Sequence, residues 1–115
     1  YISTPAHSFF KVVVNANGAV YDESTDAAIL QRNNSLPTLW NPGTQAAAKK
    51  LDDRWLVELA IPTGDFGALG PTQEYTWGIQ IGRTRFSGGQ PSHQALAPTG
   101  GRYDEVTRWG NLWSK

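Results

Sequence analysis

Residues 44–62, "TQAAAKKLDDRWLVELAIP", decide how the whole chain is read. The second half is a strand by its period of two. Trp55, Val57, Leu59 and Ile61 share one face, Glu58 points to the other, and Pro62 ends the run. The first half, "QAAAKKL", has the alanines and lysines of a helix. Between the two, Asp52 and Asp53 followed by Arg54 make a compact turn. A chain that reverses so sharply before a strand pairs with what precedes it, so residues 45–51 are expected to form a strand as well. The fold class that follows is β.

Upstream, "FFKVVVNA" (residues 9–16) carries the β-branched run of a strand buried on much of both faces. "NANG" and "AVYDE" (residues 19–23) complete a hairpin closed by a glycine-containing turn. Residues 24–43, ending in "LWNPG", are polar without periodicity and read as a loop. Downstream, "TGDFGALGP" is a loop with room for one helical turn. "YTWGIQIGRTRF" (residues 75–86) is a strand with Trp77, Ile79 and Ile81 facing inward and Gly78, Gln80 and Gly82 facing outward. Arg83 and Arg85 continue the inward parity and are expected to pair with carboxylates such as Glu58. A polar loop then leads to the tail "GRYDEVTRWGNLWSK", residues 101–115, and no internal repeat is visible.

Alternating strands and dense turn residues, with twelve Gly and seven Pro, predict antiparallel sheets packed as a β-sandwich. Its core would hold Val57, Leu59, Ile61, Trp77, Ile79 and Ile81. Five or six strands are few for a sandwich that closes its own core. Residues 1–115 are therefore expected to be a single domain lacking its N-terminal strands. Another segment or a neighbouring chain would cover the open edge.

Composition narrows the function. A chain of 115 residues is one domain at most and buries roughly 65% of its unfolded surface. Ten basic and ten acidic residues cancel, which gives no reason to expect a nucleic-acid or membrane partner. With no cysteine, disulfides, thiol catalysis and cysteine-ligated metals are excluded. There is also no methionine, so the chain reads as a processed product or an excised piece.

Catalytic motifs are scarce, and no enzyme is expected. "DFG" at residues 65–67 matches a kinase tripeptide but lacks the other kinase loops. His7 and His93 lie far apart without metal-ligand spacing, and no serine stands in a nucleophile elbow. Asp52 with Asp53, and Asp104 with Glu105, could offer oxygens to calcium, although solvated turn carboxylates are the plainer reading and no metal site is assigned. "NNS" at residues 33–35 fits a glycosylation sequon. Aromatics are the better lead. Sugars stack C–H faces on Trp or Tyr and pair hydroxyls with Asn, Gln, Arg or Asp. Five Trp and four Tyr supply the material. Trp55 and Trp77 share parity with core aliphatics, whereas Trp40 and Trp113 fit either core or surface.

"FFKVVVNANGAVYDE", "WLVELAIP", "WGIQIGRTRF" and the terminal "WGNLW" together resemble, in order and spacing, the family 9 carbohydrate-binding modules and the wider DOMON-like group. The resemblance covers residues 9–113 and implies a jelly-roll-type sandwich whose N-terminal strands precede this chain. It also implies a non-catalytic module on a secreted enzyme, extracellular or periplasmic, that targets polysaccharide of the xylan or cellulose class. By this resemblance Tyr103 stands where a Trp of the sugar clamp is familiar, and Asn15 keeps the Asn of an Arg-x-Asn contact, with Val13 at the Arg place. Gly100 replaces a polar Asn, and the second clamp aromatic would lie upstream of residue 1. Trp109 corresponds to the family's packed closing aromatic and Trp113 sits on the final strand, so both are expected to be structural. The carbohydrate site is thus Tyr103 and Asn15. The alternative is a degenerate module serving as a structural or interaction domain. A third reading, a haem-binding DOMON-like domain, ranks last because its relatives use an axial Met.

Overall fold

The computed structural model describes residues 1–3, 9–66, 70–100 and 102–114; His7 lies outside them. Among these residues the strands in chain order are β1 (Ile2–Ser3), β2 (Phe9–Val14), β3 (Val20–Ser24), β4 (Gln45–Lys50), β5 (Trp55–Ala60), β6 (Trp77–Ile79), β7 (Gly82–Ser87), β8 (Gln90–Ala95) and β9 (Gly110–Leu112). One short helix, α1 (Ala27–Arg32), lies between β3 and β4. The β2–β3, β4–β5, β7–β8, β1–β6 and β6–β9 pairs are all antiparallel, so the described residues are mostly antiparallel β with little helix. No described helix is long and apolar enough to cross a membrane. The chain divides into two compact units, Phe10–Gly70 and Tyr1–Phe9 with Pro71–Lys115.

In the unit Phe10–Gly70, "QAAAKKL" is a strand despite its helical composition. Ala46 pairs with Leu59, Ala48 with Val57 and Lys50 with Trp55, and the turn closes with Leu51 N–H donating to the Arg54 carbonyl at 2.7 Å. Pairing with β5 overrides a propensity worth only a few tenths of a kcal/mol per residue. Trp55, Val57 and Ile61 are half-buried while Leu56, Glu58 and Ala60 are exposed, as period two requires. Leu59 departs from the expected core at 47% exposure, because its cross-strand partner Ala46 is too small to cover it.

The core of this unit is aromatic. Phe10, Trp40 and Phe66 are buried, with Phe10 ring centroids 5.1 Å from Trp40 and 4.8 Å from Phe66. Trp40, ambiguous in sequence, is a core residue whose indole N–H donates to the Asp65 carbonyl at 3.1 Å. Residues 24–43 are more than the expected loop. Asp26 caps α1 by accepting from the Ala28 and Ile29 N–H groups at 3.0 and 3.1 Å, and the helix buries Ile29 against this core. Asn34 and Ser35, both at positive φ, end it. With one buried side chain in six residues, α1 has too little apolar periodicity to be recognised in sequence.

The β2–β3 hairpin runs from Phe10 opposite Ser24 to Val14 opposite Val20. On one face Lys11 pairs with Glu23 at 3.0 Å, and the Tyr21 hydroxyl donates to the other oxygen of Glu23. Burial pushes the Glu23 carboxyl up, but the Tyr21 and Lys11 bonds outweigh it and hold the group below its ordinary range. The hydrogen bond to Glu23 raises Tyr21 correspondingly.

In the second unit, the single strand expected over residues 75–86 is two strands, and the parity breaks between them. Trp77 is buried and Ile79 half-buried, as read, but Ile81 is 61% exposed and Gln80, expected outward, is fully buried. The reason is a change of partner. Gln80 continues the β1–β6 ladder through its backbone, exchanging bonds of 2.9 and 2.8 Å with Tyr1. Its side-chain amide meanwhile donates to the Ala97 carbonyl at 3.0 Å and accepts from the Ala97 N–H at 3.1 Å. Gln80 thus stands in for a further strand, and the chain past it leaves the sheet as β7.

The polar loop expected after Phe86 is largely β8. Gly88 and Gly89, with φ of 62° and 80°, form the two-residue turn that joins it to β7. The expectation failed because "QPSHQA" is polar and contains Pro91, a residue that strands tolerate only at an edge. Near the C-terminus, β9 pairs with β6, and Trp109 is buried with its indole N–H donating to the Tyr103 carbonyl at 2.9 Å. Tyr1 and Phe9 complete a ring cluster around Trp109. Trp113 follows β9 and is exposed.

Candidate functional site

All twelve residues of β7 and β8 are exposed, so this hairpin is a ribbon with two solvated faces. The register sorts its side chains. Gly82 opposite Ala95, Thr84 opposite His93, and Phe86 opposite Pro91 share one face. Tyr103 lies on the same face, since a Cβ on Gly82 would meet its ring at 2.8 Å. The face therefore carries Tyr103, then His93 edge-on at 6.1 Å, then Phe86. Phe86 is 77% exposed, the largest exposure among the large apolar side chains of the described residues. Thr84 Oγ1 lies 3.1 Å from His93 Nδ1 and orients that ring.

Tyr103 is built into this ribbon rather than standing free. Its hydroxyl lies 3.0 Å from the Arg83 carbonyl and 3.2 Å from the Gln94 carbonyl and donates to the pair. Its ring also meets Tyr1 at 6.2 Å. On either side in sequence, Arg102 and Asp104 form a two-pronged ion pair at 3.2 and 3.0 Å, and the Asp104 bonds raise Arg102. Glycine at 82 is the condition for this contact. Gly82→Ala is expected to push the Tyr103 ring off the ribbon and to cost about 1–3 kcal/mol, read as a lower denaturation midpoint. An unchanged midpoint with an unchanged near-ultraviolet tyrosine signal would refute the contact.

Asn15, the other expected site residue, belongs to the first unit. Its Oδ1 accepts from the Asn17 and Ala19 N–H groups at 2.9 and 3.0 Å, which shapes the β2–β3 turn. The side chain is exposed. Tyr103 and Asn15 are thus each tied to a hairpin by local bonds.

No family model matches the chain, and no curated protein and no solved structure matches it.

Two other constellations bear on function. An open cleft of about 440 Å³ in the first unit is lined by Ile29, Leu39 and Trp40 with Arg32, Asn33 and Asp65 among its polar groups. Asp65 is already engaged there, accepting from the Gly43 N–H at 3.0 Å. Of the acidic residues weighed for calcium, Asp53 faces Arg54, Asp104 binds Arg102 and Glu105 faces Arg108. Among the described residues no three His, Asp or Glu side chains group as metal ligands. The arginines expected to pair inward do not. Among the described residues neither Arg83 nor Arg85 makes an ion pair, and both are exposed on the other face of the ribbon. Sequence reasoning missed Phe86 and His93 as a surface pair. The "SGGQ" turn was the available signal, since Gly-Gly between two runs marks a hairpin.

Proposed function

We propose that this chain is a non-catalytic carbohydrate-binding module, a β-sandwich of DOMON-like type that holds a secreted enzyme near xylan- or cellulose-class polysaccharide. The observation that supports it is the row of rings, Tyr103, His93 and Phe86, along one solvated face of the β7–β8 ribbon. Rings exposed in a row suit the C–H faces of successive pyranoses, and Tyr103 is the residue that the family resemblance points to. Polar groups beside such rings receive hydroxyls. Thr84 and His93 supply them on the ribbon.

Titration with xylan and cello-oligosaccharides tests the reading. Phe86→Ala removes a side chain that is mostly in solvent and is expected to weaken binding roughly two- to tenfold, the worth of one ring contact. Tyr103→Ala should weaken it further, since it also frees the hairpin base, and Asn15→Ala tests the residue of the other unit by itself. Wild-type affinity in the Phe86 and Tyr103 variants would discard the ribbon as the site. No binding of the parent chain to any glycan would favour a second reading, a degenerate module acting as a structural or interaction domain. The exposure of Leu56 and Leu59 in one unit, and separately of Ile81 and Leu96 in the other, supports that reading, because each apolar side chain covered would gain on the order of 25 cal/mol per Å².

A further inference from the structure

The face of the β7–β8 ribbon turned away from the rings has a chemistry of its own. Arg83 and Arg85 project from it two residues apart, roughly 6.8 Å along the strand. Gln94 stands opposite Arg83 and Ser92 opposite Arg85. Residues 71–115 contain Arg83, Arg85, Arg102, Arg108 and Lys115 against Glu74, Asp104 and Glu105, an excess of cations. Asp104 and Glu105 are already paired with Arg102 and Arg108. Of the charges left over, two are the ribbon's guanidinium groups, which have no carboxylate partner among the described residues. A guanidinium presents a planar fork of donors that matches a carboxylate with two parallel bonds. Two forks spaced along one strand, with an amide and a hydroxyl across from them, fit a polymer that bears carboxylates at intervals better than a small acid.

We propose that this face binds the uronic-acid substituents of an acidic polysaccharide, so that the ribbon grips glycan by stacking on one side and by carboxylate pairing on the other. The inference rests on the glycan-binding reading and narrows it to acidic polymers. The neutral net charge of the whole chain argues against a general polyanion site, because no long-range field accompanies the pair.

The test compares glucuronoxylan with the same polymer after carboxyl reduction, titrated into the full chain and into Arg83→Gln, Arg85→Gln and Phe86→Ala variants. The native polymer should bind more tightly than the reduced one, and more weakly as salt is raised. Each arginine variant should lose about tenfold in affinity for the native polymer, as expected for a charged hydrogen-bonded pair, and none for the reduced polymer. Phe86→Ala should weaken both. Equal affinity for the two polymers, or arginine variants that bind the native polymer like the parent, would overturn the inference and leave the glycan reading standing. Equally tight binding of dextran sulfate would overturn the carboxylate assignment. Failure to bind either xylan would overturn the glycan reading and this inference together.

Discussion

Trp77→Ala is expected to lower the stability of the chain by about 3–5 kcal/mol, the range for emptying a buried Trp site. Trp77 is 1% exposed and lies on β6, the strand that pairs with β1 on one edge and with β9 on the other. Its cross-strand partner is Leu112. The indole is the largest of the fully buried side chains, so its removal leaves a void that neighbours on three short strands cannot close without breaking their register. A domain of ordinary stability has about 5–15 kcal/mol in all, so the variant should be largely unfolded in moderate urea. Trp113→Ala is the control. That ring is half exposed past the end of β9, and its loss should shift stability by about 1 kcal/mol or less. Equal urea midpoints for the two variants would show that the Trp77 site is not a packed core position.

Gln80→Leu should cost nearly as much, although it replaces a polar residue by an apolar one of similar size at a fully buried position. Simple transfer arithmetic would make that exchange favourable. The geometry reverses the sign. The Gln80 amide satisfies both the N–H and the carbonyl of Ala97, and leucine leaves both without partners. Each stranded buried group costs about 1–3 kcal/mol, so a loss of about 2–5 kcal/mol is expected. Gln80→Glu separates the two halves of the interaction. A carboxylate still accepts from the Ala97 N–H but faces the Ala97 carbonyl with no donor. The protonated acid restores that donor. The folded state then holds the carboxyl pKa above its unfolded value, so this variant should be most stable below the ordinary carboxylate range and lose stability as pH rises through the folded pKa. Urea midpoints measured across pH check the sign. A Gln80→Leu variant as stable as the parent would mean that the paired amide contributes nothing.

Much of the β architecture was legible in residues 9–23 and 44–62. Period two in Trp55, Val57 and Ile61, and the reversal at Asp52 and Asp53, are local signals, and the β4–β5 register follows from them. The β2–β3 hairpin is equally local, with its turn drawn by Asn15 and by Gly18 at a φ of 83°. Tertiary structure decided the rest, apart from the local Gly88–Gly89 turn. Gln80 reads as the outward member of an alternating strand until Tyr1 and Ala97, remote in sequence, claim its backbone and its amide. β8 has neither apolar periodicity nor strand propensity, and it is a strand because the Gly88–Gly89 turn returns it along β7. The ring row exists only in that pairing, since Tyr103, His93 and Phe86 come from three separate segments. Spacing in a sequence records the pattern of one strand against one face. Which strand lies beside it, and so which polar group is satisfied and which ring meets water, is set by long-range hydrogen bonds that leave no periodic trace.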